Sequence, residues 1–148
     1  MRIVSHGIDI VEVQRIGAVL SNHPERFLER CFTALEVAQA DDAGPPARVG
    51  GGAPGVVEGE AQFSVRRLEY LAGRFAAKEG VLKALGTGLS GGVKWTDIEV
   101  ARSPSGAPDL RLSGSARARA EELGIAGWLV SISHAAGVAI ASVIATGG

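Results

Sequence analysis

The stretch that decides the fold is VRRLEYLAGRFAAKEGVLKAL, residues 65–85. It contains no proline, and Leu68, Leu71, Phe75, Leu82 and Leu85 recur at helical spacing, so one apolar face runs almost its whole length. Gly86 follows directly and is a natural C-terminal stop. The pattern predicts one long helix that must bury that face against another layer. Its charges fall in rows: Glu79 and Lys83 are four residues apart, as are Arg74 and Lys78, so each pair shares a face. Gly80 sits inside the helix, where it costs up to about 1 kcal/mol relative to alanine. Close approach of a backbone or ligand is one use for that cost, and simple packing is another.

Working outward, residues 2–11 (RIVSHGIDIV) are rich in branched side chains and read as a strand with Asp9 near its end. Residues 12–22 carry Val13, Ile16, Val19 and Leu20 at helical spacing, and Pro24 suits the first turn of a short helix ending near Cys31. Thr33 followed by Glu36 makes a capping box for a third helix to about Asp41. Nine of the 17 residues at 44–60 are Gly or Pro, which reads as a loop inserted within one domain spanning 1–148. Beyond the long helix, residues 93–102 and 108–112 alternate like two strands about a turn at Ser105-Gly106-Ala107. Residues 114–123 suggest a helix stopped by Gly124, and the chain closes in a hairpin of two mainly buried strands turning at His134–Gly137. Helices and strands do not alternate regularly. The expected architecture is therefore α+β, a mainly antiparallel sheet packed on the long helix.

The chain has 148 residues, 46% of them apolar, with 15 basic and 16 acidic side chains for a net charge of −1. That length suits one compact domain, and the charge balance argues against a general nucleic-acid binder. Cys31 is the lone cysteine, so no internal disulfide forms and a reducing compartment is expected. No membrane-spanning stretch is evident. Asp9, Glu12 and Arg15 interrupt the otherwise apolar N-terminus, which excludes a signal-peptide core and leaves the cytoplasm as the expected location.

Chemistry concentrates at few positions. Asp9 is a carboxylate in an apolar strand; it is either exposed or capping the next helix, or it is compensated by a metal or a cation. Glu79 and Lys83 taken alone read as a solvated ion pair. GTGLSGG, residues 86–92, matches G-x-G-x-x-G at Gly86, Gly88 and Gly91, but it ends a helix and precedes a strand. The dinucleotide-binding reading is therefore rejected, although its amides remain able to face a phosphate. His134 after Ser131 and Ser133 lacks a nucleophile elbow or third partner, and a locally bonded turn histidine is the plainer reading. His6, His23 and His134 are too scattered for a zinc site.

Taken together, GIDIVEVQRI (7–16), ERFLERCFTALE (25–36), RRLEYLAGRFAAKEGVLKALGTG (66–88), WTDIEV, the S-G-A-P turn and VSISHAAGVAIASVIA resemble the holo-acyl-carrier-protein synthase family of small phosphopantetheinyl transferases, over nearly the whole chain. The resemblance implies the phosphopantetheinyl transferase fold. It implies transfer of 4'-phosphopantetheine from coenzyme A to a serine of apo-acyl carrier protein, with release of 3',5'-ADP, for fatty acid biosynthesis. Asp9 and Glu79 would hold Mg2+ (Mn2+ being an alternative), and Lys83 would meet the coenzyme phosphates. Arg74, Lys78, Gly86, Gly88, Gly106, Pro108 and His134 would shape the coenzyme site. The catalytic set would be Glu79, Lys83 and Asp9, with Glu79 as general base directly or through a water. Arg15, Arg26 and Arg30 would face the acidic carrier protein, against a reading as scattered solvated arginines. Family members are typically homotrimers with active sites between subunits.

Three departures stand out. Gly80 replaces the more usual Ala or Ser, Ser5 and His6 stand where Ile and Gly are frequent, and the 44–60 segment is longer than usual. Two rivals are a transferase serving polyketide or peptide synthase carriers, and a non-catalytic binding module. The single-unit length favours the fatty-acid type over the first, and the presence of Asp9, Glu79 and Lys83 argues against the second.

Overall fold

The computed structural model describes residues 1–42 and 65–148, so the expected loop at 44–60 lies outside the described residues. The elements run β1 (Arg2–Glu12), α1 (Val13–Asn22), α2 (Pro24–Cys31), α3 (Ala34–Asp41), α4 (Val65–Leu85), β2 (Ile98–Arg102), β3 (Pro108–Leu112), α5 (Gly114–Glu122), β4 (Ile125–Ala135) and β5 (Val138–Gly147). The strands form an antiparallel three-stranded sheet in the order β1-β5-β4 and a separate β2-β3 hairpin. The architecture is α+β, with α4 lying across the larger sheet.

Local chemistry sets most boundaries. Pro24 opens α2. Thr33 Oγ1 accepts from the Glu36 amide at 3.3 Å and Glu36 Oε1 accepts from the Thr33 amide at 2.8 Å, which is the reciprocal cap expected for α3. Gly86 ends α4 at φ 72°, its amide donating to Leu82 O at 3.1 Å. The β4–β5 turn is tighter than expected, since only Ala136 and Gly137 connect the strands, both at positive φ.

Two expectations need correction. Residues 93–97 are not strand: Trp95–Asp97 form a 3-10 turn, in which Asp97 Oδ2 accepts from the Lys94 amide at 3.1 Å, and β2 begins only at Ile98. Nor is β4 mainly buried. It is an edge strand whose outward residues Leu129, Ser131, Ser133 and Ala135 are exposed.

Small residues bring α4 onto the sheet. Ala139, Ala141, Val143 and Ala145 alternate along the helix-facing side of β5 and are fully buried. Gly7 of β1 sits directly on Gly80 of α4. A Cβ there would fall inside the Gly80 carbonyl oxygen and 3.1 Å from the Ala84 amide, so no side chain fits without parting the two elements. Ser5, two residues earlier, donates from its hydroxyl to Ala84 O at 2.8 Å. Gly7, Asp9 and Val11 therefore face α4, while His6, Ile8 and Ile10 face away and are exposed.

Lys78 and Glu36 lie in the interior with no exposed side-chain surface, their charges 2.7 Å apart. The ammonium also donates to Trp95 O (3.1 Å) and Ile98 O, and Glu36 Oε2 accepts from the Val100 amide at 2.9 Å. One ion pair thus joins α3, α4, the Trp95 turn and β2. Burial pulls the Lys78 ammonium below its ordinary range, and Glu36 offsets that pull. Removing one partner strands the other charge, so Lys78→Met or Glu36→Gln should each cost about 3–5 kcal/mol of unfolding free energy in urea titrations. The double variant should lose less than the sum of the two.

Candidate active site

Asp9 and Glu79 meet at one cavity of about 260 Å³, whose lining also includes Arg15, Ile16, Phe27 and Phe75. Asp9 is brought there by strand alternation on β1. Glu79 is brought there by the α4 face next to Gly80, where β1 and α4 are closest. Burial, and then the charge of Asp9, hold the Glu79 carboxyl above the usual carboxylate range, while Lys83 draws it down. The two acids are therefore close enough to repel. Lys83 stands on the same helix face and donates to Asp9 Oδ1 at 3.1 Å and to Ile8 O at 2.8 Å.

Two carboxylates without a third nitrogen, sulfur or oxygen ligand suit magnesium, which often takes one or two carboxylates and completes its shell with phosphate oxygens and water. Among the described residues no group of three or more His, Cys, Asp or Glu side chains gathers for a metal. The donor set fits a hard divalent ion shared with a phosphate, and it does not fit zinc. The apolar wall was missed from sequence. Phe27 lies 6.1 Å from Phe75, which stacks on Trp95 at 4.9 Å, and spacing alone read Phe75 as core. A larger hollow of about 510 Å³ between α2 and α3 is lined mainly by apolar groups such as Leu28, Phe32 and Val37. It lacks the converging acid pair, so size does not locate the chemistry.

The other expected residues divide. Gly86 and Gly88 follow Lys83 at the end of α4, beside a cavity of about 320 Å³ lined in part by Thr87, Ser90, Ser115 and Arg119. Lys78 is placed elsewhere. Its ammonium is enclosed and its hydrogens are taken by Glu36 and two carbonyls, leaving no donor for a phosphate. This corrects its assignment to the coenzyme site.

His134 lies over the first half of α4, its Nε2 2.7 Å from Glu69 O. Arg74, 7% exposed, stacks on Tyr70 at 3.8 Å, and its Nε has no acceptor among the described residues. Arg102 lies over the same ring at 5.8 Å, and its strand partner is Pro108, beside the Gly106 turn. From Glu69 to Glu79 is ten residues, or about 15 Å along a helix axis. Within one chain, His134 and the acid pair therefore do not converge. Arg15, Arg26 and Arg30 are all exposed on α1 and α2, and Arg15 reaches the acid cavity.

A carboxyl raised by folding favours its protonated form, so its contribution to stability is largest below the ordinary value of 4.5 and declines as pH rises through the raised value. Glu79→Gln removes that cost. In metal-free buffer at pH 8 it should raise Tm by roughly 2 °C. The gain should shrink as pH approaches 4.5, as followed by thermal melts across pH.

A family model described as the 4'-phosphopantetheinyl transferase superfamily matches residues 5–141. A holo-[acyl-carrier-protein] synthase of Streptomyces griseus is 43% identical over 145 residues, covering 98% of this chain and 99% of the relative. The solved Helicobacter pylori holo-[acyl-carrier-protein] synthase, in complex with coenzyme A, superposes with TM-score 0.72 at 30% identity, covering 95% of this chain and 99% of that one. The Bacillus anthracis synthase, in complex with CoA (3',5'-ADP), superposes with TM-score 0.70 at 32% identity over the whole of both chains. With its acid pair set where β1 meets α4, this chain belongs to the 4'-phosphopantetheinyl transferase superfamily, among the holo-[acyl-carrier-protein] synthases.

Proposed function

We propose that this chain transfers the 4'-phosphopantetheine group of coenzyme A to a serine of apo-acyl carrier protein, releasing 3',5'-ADP, in the cytoplasm and in the service of fatty acid biosynthesis. The observation that carries the reading is the pair of carboxylates, Asp9 and Glu79, lining one cavity with Lys83 against Asp9. Asp9 and Glu79 would hold Mg2+, or Mn2+ in its place. That ion supplies neutralisation of the diphosphate and polarisation of the phosphorus under attack. Glu79, directly or through a water, would take the proton of the attacking serine hydroxyl. Lys83 would stabilise charge on the departing 3',5'-ADP. Phe27, Phe75 and Ile16 offer an apolar wall that limits water around the attack.

The second cluster, with Arg74, His134 and the Gly106–Pro108 turn, is incomplete within one chain, as is the acid cavity. We read them as halves of one coenzyme site, completed by a neighbouring copy in a homotrimer. The outer face of the β1-β5-β4 sheet supports this: Ile8, Ile10 and Leu129 are 47%, 63% and 52% exposed on a face that a lone chain leaves in water. We also take the chain as one domain, with 44–60 as an insertion. Exposed Arg15, Arg26 and Arg30 would meet the acidic carrier.

Incubation of apo-carrier with coenzyme A and magnesium should add one phosphopantetheine by mass spectrometry; an unchanged carrier mass would reject the function. With magnesium saturating, Asp9→Asn and Glu79→Gln should lower turnover at least about hundredfold. Near-normal turnover in Glu79→Gln would remove it from both roles. Reversing Arg26 and Arg30, which do not line the acid cavity, should raise KM for the carrier about tenfold while leaving coenzyme A affinity alone. In sedimentation, Leu129→Asp should convert a trimer to monomers and abolish transfer; a monomeric wild type that transfers would refute the shared site.

A further inference from the structure

Lys83 is engaged by partners within its own chain. Its ammonium is held by Asp9 Oδ1 at 3.1 Å and by Ile8 O at 2.8 Å. The Asp9 side chain is only 18% exposed, whereas that of Lys83 is 53% exposed. Asp9 is therefore fixed and enclosed, and the lysine is the partner free to leave. Glu79, one helical turn before Lys83, feels both its charge and that of Asp9. The ammonium thus serves as the cation of an acid pair that would otherwise repel itself.

A divalent ion on that pair must share the Asp9 carboxylate with Lys83, and two cations on one carboxylate repel each other. We infer that Lys83 is the resident counter-ion of Asp9, displaced from it when a divalent ion binds and thereby released toward the diphosphate. The inference rests on the reading of Asp9 and Glu79 as metal ligands. It makes metal and coenzyme binding cooperative: the metal frees the lysine that the diphosphate uses, and the diphosphate draws away the lysine that competes with the metal. Linkage makes the coupling equal in both directions. The rival role is that Lys83 only orients Asp9. The two differ in sign, because loss of a competitor tightens metal binding and loss of an orienting contact weakens it.

The test is Mn2+ binding to the full chain at pH 8, followed by electron paramagnetic resonance, with and without coenzyme A. Lys83 is half exposed, so Lys83→Met leaves the core intact. Without coenzyme A, Lys83→Met should bind Mn2+ on the order of fivefold more tightly than wild type. The tightening that coenzyme A produces should be several-fold smaller than in wild type. Equal or weaker Mn2+ binding in Lys83→Met, with Asp9→Asn markedly weakened, overturns the counter-ion role and leaves the metal site standing. Unchanged Mn2+ binding in Asp9→Asn overturns the metal reading, and the inference falls with it.

Discussion

The buried pair of Lys78 and Glu36 is the constraint on which the rest of the structure depends. Neither charge reaches water, so each must be satisfied by fixed neighbours, and those neighbours come from α3, α4, the Trp95 turn and β2. A hydrophobic contact among these elements would tolerate sliding; an ion pair with directed hydrogen bonds does not. Register along α4 is thereby fixed, and Glu79, the next residue after Lys78, is presented on the adjoining face. The same bonds pin the chain where the Trp95–Asp97 turn passes into β2, because the carbonyls of Trp95 in the turn and Ile98 at the start of the strand both reach the ammonium.

Close packing on the other side of α4 does the complementary work. Glycine at 7 and alanine at 139, 141 and 145 let the helix settle on the sheet. That approach brings a carboxylate of β1 to a carboxylate of α4 in a half-enclosed space. Two like charges are unfavourable there, and the structure shows both relief and cost: Lys83 lies on Asp9, and the Glu79 carboxyl is pushed upward. Stability is given up where a cation would recover it, a pattern common at catalytic sites.

The chain also leaves apolar side chains exposed on one face of its larger sheet. One face of the sheet carries isoleucines and a leucine into water, and His134 lies about 15 Å along α4 from the acid pair, with Arg74 midway between. Both features fit the proposed homotrimer, in which covering the sheet face would bring a second chain alongside the first.

Much of the architecture was legible in the residues. Apolar spacing located α4 over 65–85, Pro24 and the Thr33–Glu36 box located α2 and α3, and runs of branched and apolar residues located β1 and the closing hairpin. These signals are local: a cap, a turn or a periodic face is written within a few neighbouring residues. Spacing could not separate Lys78 from Lys83. Both lie on the same helix beside a small or acidic residue, yet one is sealed against Glu36 and the other stands half in water on Asp9. Nor could it show that residues 93–97 coil, that β4 keeps a bare face, or that His134 lies away from the acids. Burial and partnership depend on what the rest of the chain brings within a few ångströms. Sequence determined the elements and the residue types available for chemistry; only the packing of β1 against α4 decided which charges would share a cavity.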